Sequence, residues 1–134
     1  MTETDIRWKQ RFANFQKALM LLGEALALEA PTDLEIEGMI QRFEYTFELA
    51  WKTLKDYLED KGYPDIVGSR DSIRLAFANG IIDEGETWMD MISDRKQSSH
   101  LYEAKIAKRI AMDIRKRYYP CFSRVSKYLE HKSL

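Results

Sequence analysis

Thr32–Gly62 reads TDLEIEGMIQRFEYTFELAWKTLKDYLEDKG, and the pattern in this stretch decides the fold. Thr32-Asp33-Leu34-Glu35 is a capping box: the threonine hydroxyl can accept a free backbone N–H, and the glutamate can reach back to the cap. Ile36, Ile40, Phe43, Phe47, Trp51, Leu54 and Leu58 then recur at helical spacing, and Gly62 suits the left-handed residue that closes a helix. Only the arc of Glu37, Gln41, Glu44, Glu48, Lys52, Lys55 and Glu59 is plainly polar; the far side carries Tyr45, Thr46, Leu49 and Thr53. A helix so apolar around its axis is central in its bundle or lies between chains, and the second option predicts a two-fold dimer.

Outward from this helix the period does not change. Trp8, Phe12, Phe15, Leu19, Leu22 and Leu26 form one stripe of a long first helix, which Pro31 is expected to end. A short helix should open near Ser69 and close at Gly80, with Ile73, Ala76 and Phe77 inward. Asp83-Glu84-Gly85-Glu86 reads as a second capping box and starts another short helix. A last helix should run from about Ser99, capped by Ser98 or Ser99, with Pro120 bending or ending it. The expected fold is therefore all-α: one domain over residues 1–134, an up-and-down bundle of three long and two short helices that dimerises through helix faces.

Composition narrows the function classes. Hydrophobic residues make up 45% of the 134, which supports a folded core and not a disordered chain. No apolar run approaches a membrane span, and the N-terminus has no signal-peptide character. A single cysteine, Cys121, forms no internal disulfide, which fits the cytoplasm. One cysteine and two histidines 31 positions apart make no zinc site, and no phosphate-binding glycine loop occurs, so no metal or cofactor is expected. Residues 1–94 hold 10 Lys/Arg against 19 Asp/Glu, a net of −9, while residues 95–134 hold 11 against 3, a net of +8. The basic last third either contacts nucleic acid or neutralises acidic helices beside it.

The polar residues that carry chemistry lie in DRKQSSHLYEA, Asp94–Ala104. Trp88, Ile92 and Arg95 share one face of the fourth helix, and His100, Ala104, Ala107, Ala111, Ile114 and Tyr118 share one face of the last. Arg95 and His100 thus point from two helix ends toward one cleft. A guanidinium suits phosphate oxygens, and an imidazole exchanges protons at neutral pH, a pair fitted to metal-independent cleavage of RNA. The competing reading is an arginine complementing a helix dipole and a satisfied rim histidine. Tyr102 lies about 200° from His100 around a helix and borders the basic arc of Lys105, Arg109 and Lys116.

WKQRFANFQKAL, IQRFEYTFELAWKTLKDYLEDKG and AFANGIID…TWMDMISDRKQSSHLYEA together resemble the nucleotidyltransferase substrate-binding family of HEPN domains, the HepT-like proteins, over nearly the whole chain. The resemblance implies a helical HEPN-like homodimer whose Arg-x4-His motifs meet in a composite cleft. It implies a toxin ribonuclease acting on RNA, with tRNA among the candidates. It further implies a partner, a minimal nucleotidyltransferase (MNT) antitoxin, which adds AMP to the tyrosine of Arg-x4-His-x-Tyr. Carried over, Arg95 and His100 are the catalytic pair and Tyr102 the site of AMPylation; Lys96, Lys105 and Arg109 are candidate phosphate contacts. The family usually has asparagine where Lys96 stands, and lysine accepts no hydrogen bond. The alternative is a non-catalytic subunit that binds substrate for a nucleotidyltransferase.

Overall fold

The computed structural model describes residues 1–97 and 101–134, and all regular structure among them is helical. The order is α1 (Glu3–Leu26), α2 (Asp33–Asp60), α3 (Gly68–Ala78), α4 (Gly85–Lys96), α5 (Ala104–Asp113), a π-helical turn (Ile114–Tyr118) and α6 (Tyr119–Lys132). Because α5, the π turn and α6 follow one another without a break, they make the third long helix of the expected bundle.

Helix α2 forms as its sequence dictates. Thr32 Oγ1 accepts the Glu35 N–H at 3.1 Å, and Glu35 Oε1 accepts the Thr32 N–H at 2.9 Å. Gly62 sits at φ 97°, beyond the helix end. The far side of α2 is covered by α1: Arg42 donates to the Leu21 carbonyl at 2.5 Å, and Asp56 pairs with Arg11 at 2.8 Å along that same stripe. Thr46 and Thr53 lie between them fully buried, their hydroxyls donating to the carbonyls of Arg42 and Leu49 at 2.6 Å. Burial of a hydroxyl is tolerated only with such a partner. The helix is thus central, with Thr46 and Thr53 covered by its own chain, while Tyr45 on the same side is exposed.

The core converges on Phe122. Its ring lies 6.1 Å from Phe15 of α1 and 6.1 Å from Phe43 of α2, and 5.6 Å from Trp88 of α4 in an edge-on contact. Phe43 also stacks on Tyr118 at 5.2 Å. Edge-on and offset contacts of this kind favour one arrangement of four helices over sliding alternatives.

Several local expectations are corrected. α1 ends at Leu26, before Pro31, so the proline lies in the connecting loop. Phe77 is 53% exposed: α3 buries only Ser72, Ile73 and Ala76, and the Phe77 ring lies across Gly85, where a Cβ would approach it to 3.3 Å. Asp83–Glu86 forms no capping box. Glu84 caps α4 in the left-handed region (φ 51°) without a side-chain bond, because Arg124 draws Asp83 (3.1 Å) and Glu84 (2.9 Å) toward α6. The last helix begins at Ala104, with Glu103 as its cap residue, because Leu101–Glu103 form a turn; Ala104 is exposed and the inward row starts at Ala107. The serine caps lie outside the described residues. Pro120 neither ends nor breaks the helix. It cannot donate to Lys116 and its ring would crowd that carbonyl; the π turn opens the backbone there, with the Tyr119 N–H reaching Ile114.

A buried carboxylate fixes the end of α4. Asp94, 6% exposed, accepts hydrogen bonds from the Tyr118 hydroxyl and from Arg109 at 3.0 and 3.4 Å. Arg109 also binds Asp113 at 3.1 Å, while Arg117 binds Asp90 at 2.6 Å. A carboxylate at a helix C-terminus opposes the dipole, so these donors are required to hold it there.

Thr32→Ala removes the cap and should lower stability by about 1 kcal/mol in urea unfolding, with no change in m-value. Asp94→Ala leaves the buried Tyr118 hydroxyl unpaired and should cost about 1–3 kcal/mol; Asp94→Ala/Tyr118→Phe should cost less than the sum of the two single variants. Burial and the Tyr128 neighbour push Tyr57 up to about 12, and burial plus the Asp94 bond raise Tyr118 above the ordinary tyrosine range. The folded state therefore holds these protons more tightly than the unfolded one. That contribution is complete below about pH 10 and is lost as pH rises through the folded-state values. The absorbance change that Tyr57→Phe and Tyr118→Phe abolish should accompany loss of helical circular dichroism above about pH 10.

Candidate functional site

The junction of α4 and α5 carries the residues singled out by sequence. Arg95 occupies the last turn of α4, where a cation complements the helix dipole. Its side chain is 39% exposed, with Nη1 3.1 Å from Glu44 Oε2 and Nε 3.8 Å from Glu48 Oε1, both on the polar arc of α2. The expected charge at the end of an apolar stripe thus has both a wet rim and partners. Trp88 and Ile92 of the same stripe are buried, as their spacing predicts.

His100 lies outside the described residues, as does its convergence with Arg95. Tyr102 stands in the turn of Leu101–Glu103 and is 77% exposed, outward as expected although not on a helix. A cavity of about 70 Å³ beside it is lined by Asp33 and Glu37 from the start of α2 and by Leu101 and Lys108. Lys96 and Lys105 are exposed. Arg109 is half exposed, but its terminal nitrogens already bind Asp94 and Asp113, and those bonds raise its pKa further. Any phosphate contact through Arg109 must share donors with those carboxylates.

Asp94 was not among the sequence candidates, yet it orients the site. It is the residue before Arg95, and about 100° separates neighbours on a helix. Pinning Asp94 to Tyr118 and Arg109 therefore turns Arg95 toward Glu44 and Glu48. Its one sequence signal is an acid in the last turn of a helix, where charge alone disfavours it. Glu44 and Glu48 appeared only as members of a solvated arc.

Elsewhere, Asp83, Glu84 and Cys121 place donor atoms within 4.8 Å of one another, the only such group among the described residues. Arg124 bonds both carboxylates and lies 3.3 Å from the Cys121 sulfur. Burial and the Glu84 hydrogen bond push the thiol up to about 12, so it is a neutral donor to Glu84 and not a thiolate ligand. Among the described residues no helix is long and apolar enough to cross a membrane.

Comparison with known proteins gives the relationship. A protein of Thermus thermophilus known by crystal structure is similar over 89% of this chain and 98% of its own, at 33% identity and a TM-score of 0.74. A Haemophilus influenzae protein, whose structure is described as revealing the fold of a substrate binding domain of a nucleotidyltransferase, is similar over 94% of this chain and 98% of its own. At 21% identity and a TM-score of 0.68, that likeness concerns the fold. No curated protein matches the chain. Residues 10–131 match the family described as nucleotidyltransferase substrate binding protein like, and the chain belongs to that family.

Proposed function

We propose that the chain is the binding partner of a nucleotidyltransferase and that the group it presents is the Tyr102 phenol. The observation that carries this reading is the exposure of Tyr102, 77%, in a turn beside the basic start of α5. A large aromatic side chain held outward at an interhelical turn is accessible to a second active site. Transfer forms a bond from Tyr102 Oη to the α-phosphorus of ATP, breaks the bond to pyrophosphate and releases the phenol proton. The partner enzyme, of the minimal nucleotidyltransferase type, supplies the catalysis, and two copies of this chain pair in the complex. ATP as co-substrate fits a reaction in the cytoplasm.

A second reading, cleavage of RNA by Arg95 and His100, draws on one observation: Arg95 stands partly exposed at the α4 terminus. Glu44 and Glu48 weigh against it, because both carboxylates compete with an RNA phosphate for the guanidinium. Lys96 in place of the family's asparagine weighs in the same direction. In this reading the chain is a HEPN toxin, and modification of Tyr102 silences it.

Incubation with the partner nucleotidyltransferase, ATP and magnesium should add one or more AMP masses, read by intact-protein mass spectrometry and absent in Tyr102→Phe. Unchanged mass for the wild type, or equal labelling of Tyr102→Phe, would defeat the proposal. The ribonuclease reading requires that purified chain cleave total tRNA and that Arg95→Ala and His100→Ala each lower cleavage at least about tenfold. Equal cleavage by all three proteins excludes it.

A further inference from the structure

The C-terminal half of α2 borders a second cavity. It measures about 530 Å³ and is lined by Arg11 of α1, by Trp51, Lys52, Lys55 and Asp56 of α2, and by the 66–68 segment leading into α3. Three cations and one carboxylate line it, and each cation faces a carboxylate: Arg11 faces Asp56, Lys52 faces Glu48 and Lys55 faces Glu59. An anion binds here by displacing the glutamates from the two lysines, the pairs most exposed to solvent.

The three cations are differently prepared. Arg11 is fixed: its Nε lies 2.8 Å from Oδ2 of Asp56, a carboxylate whose side chain is only 6% exposed. This pairing uses the inner edge of the guanidinium and leaves its terminal nitrogens for a ligand. Lys52 and Lys55 are held more loosely, each 3.7 Å from a glutamate one turn away and about a third exposed or more. Such screened helix pairs exchange readily for a better anion. Lys52 also lies 5.7 Å from the Trp51 ring centroid, so it can move from ring to ligand within the same cavity.

Trp51 supplies the remaining chemistry. The chain has three tryptophans, and the other two, Trp8 and Trp88, are 1% and 0% exposed in the core. Trp51 is instead half-buried, its indole N–H held by Glu48 at 3.2 Å and the ring against the cavity. An indole oriented by its own hydrogen bond and flanked by cations is a stacking surface for a planar base attached to phosphate. We propose that this cavity binds a nucleotide, the base on Trp51 and the phosphate on Lys52, Lys55 and Arg11. This goes beyond presentation of Tyr102, which lines a different cavity at the opposite end of α2. The two assignments stand or fall separately.

The test uses the full chain, with excitation at the red edge of indole absorbance so that nucleotide absorption does not interfere. AMP should change tryptophan emission saturably, and adenosine or inorganic phosphate alone should bind at least about tenfold more weakly, because each uses one half of the site. By calorimetry, Lys52→Gln/Lys55→Gln should weaken AMP binding at least about tenfold, with circular dichroism and Tm unchanged. Trp51→Phe should retain the phosphate contribution but weaken AMP more than pyrophosphate. No saturable change up to about 5 mM AMP overturns the proposal. So does equal affinity for AMP and pyrophosphate in the wild type, or unaltered AMP binding in the double-lysine variant. Arg11 is left intact because its removal would strand the buried Asp56.

Discussion

The Asp94 carboxylate is the constraint on which the rest of this molecule hangs. It is buried at the wrong end of a helix for its charge, and it is tenable only because Tyr118 and Arg109 reach it from the last long helix. Tyr118 in turn stacks on Phe43 of the central helix, so the polar anchor and the aromatic core are one structure. A buried acid without its donors is costly, which makes the register of α5 against α4 specific in a way apolar contacts alone would not.

This arrangement also answers the charge asymmetry. Three arginines of the basic last third are committed inside the fold: Arg109 to Asp94 and Asp113, Arg117 to Asp90, and Arg124 to Asp83 and Glu84. Neutralisation of acidic helices by a basic one accounts for three of the arginines in the basic third. Lys105, Lys108, Arg115 and Lys116 remain exposed and take no part in those pairs. They are among the residues of the basic third available to a partner, with Lys96, Lys127 and Lys132.

How much could be read beforehand follows from range. The α2 capping box, the Gly62 terminus and the inward stripes of α1 and α2 are set by neighbours three or four residues apart, and all are legible in the sequence. Failures occur where a distant residue wins. Asp83 and Glu84 have a capping-box pattern, but Arg124, forty residues on, offers a stronger partner. Pro120 predicts a bend or an end of the helix; the end does not occur, because the packing of Tyr118 and Phe122 on the core keeps the helix going through a π turn. The candidate site divides the same way. The rim position of Arg95 follows from helical geometry, and Tyr102 is outward as expected but in a turn before α5, whereas the carboxylates facing Arg95 belong to another helix, 47 and 51 residues earlier.

The split of charge along the chain has a consequence for synthesis. A ribosome delivers the acidic residues first, and α4 emerges carrying Asp90 and Asp94 before any of their arginine partners exist. The nascent bundle at that stage has a carboxylate without donors and a central helix missing Tyr118 and Phe122 from one side. Stable docking of α4 must therefore wait for residues 109–124, and the fold should close late and all at once. The last third thus acts as the latch of the domain, and until it arrives the chain is open to chaperones and proteases.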